Sequence, residues 1–83
     1  MRRLAAYNFG GLIGACVQAE AKMVYVAAYN FGKAQTVYGT NSLTAISMKK
    51  GLEDSFVLAT QFCSIDVVNK FVILGRRHGT LFI

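Results

Sequence analysis

The chain has 83 residues, 54% of them hydrophobic, and nine Lys and Arg against four Asp and Glu give it a net charge of +5. That length supports one domain and no second core. One histidine and two unclustered cysteines exclude an ordinary zinc site, and two cysteines are too few for a disulfide-built scaffold.

The first 22 residues, MRRLAAYNFGGLIGACVQAEAK, start as a secretory signal would. They have a basic start, an apolar stretch and the small-x-small triplet Ala19-Glu20-Ala21. LIGAC also resembles a bacterial lipobox, in which Cys16 would carry the lipid. Asn8 interrupts the apolar core, and the hexapeptide AAYNFG recurs at residues 27–32, where no signal could sit. An unprocessed chain is therefore expected, with a cytoplasmic location slightly favoured. A secreted or membrane-associated lipoprotein-type subunit is the alternative. The longest uncharged run, residues 4–19, falls short of the ~18–20 apolar residues of a spanning helix, so no transmembrane span is expected.

Proline is absent and glycine supplies the punctuation. Residues 12–22 contain Ala, Gln, Glu and Lys and predict a first helix. MVYVAAY, from Met23, is β-branched and aromatic and predicts a strand. Asn30 to Lys33 supplies a turn through Gly32, and AQTVYGT returns as the partner strand. Asn41 or Ser42 caps a helix starting at Leu43, which Gly51 ends or interrupts, and Asp54 or Ser55 offers a second start. Helical spacing then places Phe56, Ala59, Thr60 and Cys63 near one face. SIDVVNKFVIL reads as strands with a tight turn at Asn69-Lys70, and GRRHG as a basic loop before TLFI. The expected fold is α+β: a small antiparallel sheet of about four to five short strands with two helices on one face. This order is loosely similar to that of profilin-like dimerisation modules, a likeness of element order alone.

The repeated AAYNFG is read as a packing unit. Ala-Ala allows close approach, Tyr and Phe anchor, and Asn with Gly turns the chain. Tyr7 and Tyr29 would stack across neighbouring strands. Tyr7, Phe9, Tyr25, Tyr29 and Phe31 are accordingly the candidates for packing or an oligomer interface.

Three basic doublets carry most of the charge: Arg2-Arg3, Lys49-Lys50 and Arg76-Arg77, the last followed by His78. Gathered on one face, Arg2, Arg3, Lys49, Lys50, Arg76, Arg77 and His78 would form an anion- or nucleic-acid-binding surface; scattered, they keep an apolar protein soluble. GGLIG lacks the spacing of a dinucleotide or phosphate-binding loop. Cys16 and Cys63 are expected as buried free thiols, with a single bridge between them as the alternative. Asp66, in an apolar run, is expected to be half-buried and partnered by Lys70 or an Arg. No catalytic site, metal or cofactor is expected. The high apolar content favours a self-associating assembly or interaction module, the core of so small a domain being unable to hide it all. Nucleic-acid or other anion binding is the alternative.

Overall fold

The computed structural model describes residues 18–81. These form three helices, α1 (Gln18–Tyr38), α2 (Leu43–Ala59) and α3 (Ile65–Thr80). No described residue lies in a strand, so the expected α+β sheet, and with it the profilin-like order, is replaced by an all-helical domain.

The correction begins at Met23. Residues Ala21, Val24, Ala28, Phe31 and Ala34 are buried, in steps of three and four that place them on one helical face. A strand would send Val24 and Val26 to the same side. Val24 is 0% exposed and Val26 44%, as a helix requires. The predicted turn at residues 30–33 therefore lies inside α1. The chain turns later, at Gly39, whose φ of 95° is a conformation that L side chains rarely adopt. Its N–H donates to the Gln35 carbonyl at 3.1 Å.

Ser42 caps α2 as expected: its Oγ accepts from the Ala45 N–H at 3.1 Å and donates to the Gly39 carbonyl at 2.7 Å. Gly51 does not break α2, and no new start occurs at Asp54 or Ser55. The helix runs on to Ala59, burying Ala45, Leu52 and Ala59. The next start is Ser64, whose Oγ accepts from the Val67 N–H at 3.3 Å. From there the segment predicted as strands is α3. Asn69-Lys70 lies mid-helix and GRRHG forms its last turns. Asp66 in the first turn and Arg77 with His78 in the last match the helix dipole. Asp66 is exposed rather than half-buried, so it needs no buried partner.

Helix α1 lies between the other two. Residues Ala21, Val24, Ala59, Cys63, Val68 and Phe71 form one buried cluster, and Ala28, Phe31 and Leu52 another. Leu52 thus meets the second half of α1, and Ala59 and Cys63 the first, so α2 runs antiparallel to α1. Helix α3 runs parallel to α1. A Cβ on Gly75 would stand 2.5 Å from the Tyr25 carbonyl oxygen and 2.9 Å from the Ala28 Cβ, and one on Gly79 would strike the Tyr29 carbonyl oxygen. On the facing side, a Cβ on Gly32 would stand 2.5 Å from the Arg76 carbonyl oxygen. Three glycines read as turn formers are therefore where two helix backbones touch. Cys63 is buried and disulfide-bonded, which corrects the free thiol expected there. Cys16 lies outside the described residues.

Candidate functional site

Consecutive residues of a helix point about 100° apart, which splits each described basic doublet. Lys50 reaches one turn along α2 to Asp54, Nζ to Oδ1 2.9 Å, and that carboxylate raises its pKa through the hydrogen bond and the charge. Lys49 instead faces a groove shared with Arg76 of α3. Arg77 is exposed, and His78 points back to α1. Arg2 and Arg3 lie outside the described residues. Of the predicted cationic set, the structure brings Lys49 and Arg76 together and sends Lys50 and Arg77 elsewhere.

The Lys49–Arg76 groove exists because α2 and α3 both pack on α1 and only marginally on each other. Its apolar half, about 380 Å³, is lined by Phe31, Leu52, Phe56, Val57 and Val72, with Lys49, Glu53 and Arg76 also on its wall. An adjoining half of about 390 Å³ shares Phe31, Lys49 and Arg76 and adds Gln35, Thr40, Asn41, Ala45 and Ile46. The Arg76 guanidinium sits 5.2 Å above the Phe31 ring centroid and donates from Nη2 to Gln35 Oε1 at 3.2 Å. These two contacts hold the cation at the junction of the halves. Among the described residues, which include all four Asp and Glu, neither Lys49 nor Arg76 pairs with a carboxylate. The sequence reading missed Gln35, Leu52 and Val72 as groove residues. The available signal was the helical spacing Ala45, Leu52, Phe56, Ala59, which reveals the face α2 turns inward.

The predicted aromatic set has two described centres. Phe31 is buried under Arg76, whereas Tyr25 and Tyr29 are half-buried, their ring centroids 6.5 Å apart at 38°. The Tyr25 hydroxyl lies 2.6 Å from His78 Nδ1, and the rings meet edge-on at 5.8 Å. With Nδ1 unprotonated the hydroxyl donates and the ring proton resides on Nε2; protonation of the imidazole reverses the donor. Tyr7 and Phe9, and so the predicted Tyr7–Tyr29 stack, lie outside the described residues.

Large apolar side chains stay exposed along the outer face of α2 and its turn into α3. Leu43 is 86% exposed and Val57 61%, with Ile46, Leu58, Phe62 and Ile65 also in the open. A separate cleft of about 670 Å³ between α1 and α2 is lined by Met23, Val26, Ala27 and Met48 and by the small residues Ser47, Gly51 and Ser55. Among the described residues, no three metal-ligating side chains cluster. Nor is any described helix long and apolar enough to cross a membrane. No family model, curated protein or solved structure matches the chain.

Proposed function

We propose that this protein is a small helical module that self-associates, in an assembly or interaction role and with no catalytic site of its own. The observation that carries this reading is the exposed apolar series Leu43, Ile46, Val57, Leu58, Phe62 and Ile65. On a helix, positions 43, 46, 50, 54, 57 and 58 fall along one side, and residues 62 and 65 continue past its end. Between the two apolar groups lies the Lys50–Asp54 pair, with exposed Ser47 beside it, a polar strip that divides the face. Exposed apolar patches mark interaction sites, and burying them yields about 25 cal/mol per Å². Antiparallel pairing of two copies along α2 would set the Leu43–Ile46 end of one against the Val57–Ile65 end of the other. That is the self-complementary arrangement a two-fold dimer needs.

Size exclusion with light scattering, at low and high salt, tests it. A salt-resistant oligomer is expected, reduced to monomer by the Val57→Glu, Ile65→Glu double variant with helical circular dichroism unchanged. Both positions are exposed, so the charges burden the interface and not the core. A wild-type monomer at about 100 μM, a concentration well above the Kd of a stable complex, would refute the reading.

A further inference from the structure

We propose that the groove between α2 and α3 binds a small amphipathic carboxylate, its apolar body on Phe31, Leu52, Phe56 and Val72 and its anionic head between Lys49 and Arg76. Ile46 and Val57 line this groove as well as belonging to the exposed apolar series, but the cations Lys49 and Arg76 that define the proposal take no part in the self-association reading.

Four observations converge. The first is shape: the two halves of the groove, open to solvent and sharing Phe31, Lys49 and Arg76, have volumes of about 380 and 390 Å³, each within the ordinary range for small-ligand sites, roughly 300–1,000 Å³. The second is the division of chemistry. One half is walled mostly by apolar side chains, and the other adds the hydrogen-bonding groups of Gln35, Thr40 and Asn41. The third is charge. Lys49 and Arg76 are the residues common to both halves besides Phe31. An anion there therefore meets two cations that no described carboxylate neutralises. The fourth is preorganisation. Phe31 beneath Arg76 and Gln35 beside it fix the guanidinium before any ligand arrives, and none of its other N–H groups is bonded to a described residue. A guanidinium so held loses little freedom on taking up a carboxylate.

The cations set the direction. Lys49 and Arg76 line both halves, whereas Leu52, Phe56 and Val72 line only the apolar one. A carboxylate head is drawn to the two cations, leaving the tail along Leu52, Phe56 and Val72; Glu53, one turn from Lys49 on the same wall, offsets part of that attraction. A cationic amphiphile meets Lys49 and Arg76 where its head would lie.

The test is titration of decanoate into the isotope-labelled full-length chain, followed by NMR, with decan-1-ol and decylammonium in parallel. Decanoate is expected to shift Phe31, Leu52, Val72 and the Arg76 side chain, and to bind about a hundred-fold more tightly than decan-1-ol, the increment of two charge-assisted contacts at about ten-fold each. Decylammonium should bind more weakly than either. Lys49→Gln, at an exposed position with no described partner, should weaken decanoate about ten-fold and leave decan-1-ol unchanged. Arg76→Gln should do the same, and Arg76→Lys should recover part of the loss. The proposal is overturned if decanoate and decan-1-ol bind equally and Lys49→Gln changes neither. Shifts confined to the Met23–Met48 cleft would also overturn it, as would no binding at millimolar ligand.

Discussion

A methyl group added at three glycines separates a helix contact from a helix surface. At Gly51, in the middle of α2, a Cβ would meet nothing within 4 Å, so Gly51→Ala brings only the helix-propensity gain, about 0.5–1 kcal/mol. At Gly75 the same Cβ would stand 2.5 Å from the Tyr25 carbonyl oxygen and 3.2 Å from the Tyr29 amide nitrogen. Both are backbone atoms of α1, so no rotamer change relieves the clash and the two helices must separate. Overpacking of this kind costs about 1–3 kcal/mol, and a backbone wall places it at the upper end. Subtracting the propensity gain leaves a net loss of about 2 kcal/mol. In a domain of this size each kcal/mol moves the midpoint by about 4–8 °C. Urea and thermal unfolding followed by circular dichroism should therefore show Gly51→Ala more stable than wild type and Gly75→Ala less stable by roughly 10 °C. Gly32→Ala, 2.5 Å from the Arg76 carbonyl oxygen, should follow Gly75→Ala. If Gly75→Ala and Gly32→Ala both stabilise as Gly51→Ala does, the close α1–α3 contact is wrong.

Four further outcomes follow from single interactions. Ser42→Ala and Ser64→Ala each remove a helix N-cap and should each lower stability by about 1 kcal/mol in urea titrations, additively, since the caps serve different helices. Reduction of the disulfide at Cys63 should lower the unfolding free energy by about 2–4 kcal/mol, read as a shift in urea midpoint with and without reductant. Tyr25→Phe removes the hydroxyl from His78 Nδ1, costing about 0.5–1.5 kcal/mol and changing the His78 ring nitrogen shifts in NMR. The Lys50 pKa is raised above 10.5 in the folded chain by Asp54. Its contribution is thus complete below that pH and is lost as pH rises through the folded value, and Asp54→Asn should abolish the alkaline loss; both groups are exposed, so added salt should shrink it.

Local signals in the sequence were enough for some features. Ser42 before Leu43 has the side-chain oxygen that a free helix N-terminus needs, and the start of α2 was legible from it. Of Phe56, Ala59, Thr60 and Cys63, grouped by helical spacing, Phe56, Ala59 and Cys63 share one packed cluster, whereas Thr60 is the C-cap of α2 and Cys63 lies past the helix end. One domain followed from length. The strands did not hold, because β-branched and aromatic residue types outweighed period in the reading of Met23–Tyr29 and of Ile65–Leu74. Residue type is a weak guide when tertiary burial selects the conformation. The spacing of Val24, Ala28 and Phe31, and of Val68, Phe71, Gly75 and Gly79, carried the better signal.

Composition, charge and the α2 cap belonged to the sequence by itself, since each depends on residues adjacent in the chain. The role of glycine did not. Gly39 makes a turn, Gly51 lies on an open surface, and Gly32, Gly75 and Gly79 let two backbones meet, although all five look alike in the primary structure. The basic doublets were equally ambiguous. A helix sends neighbouring side chains apart, so Lys49 found Arg76, 27 positions away, while Lys50 found Asp54. Which charges share a site depends on how helices pack against α1, and that contact joins residues with no local relation in sequence.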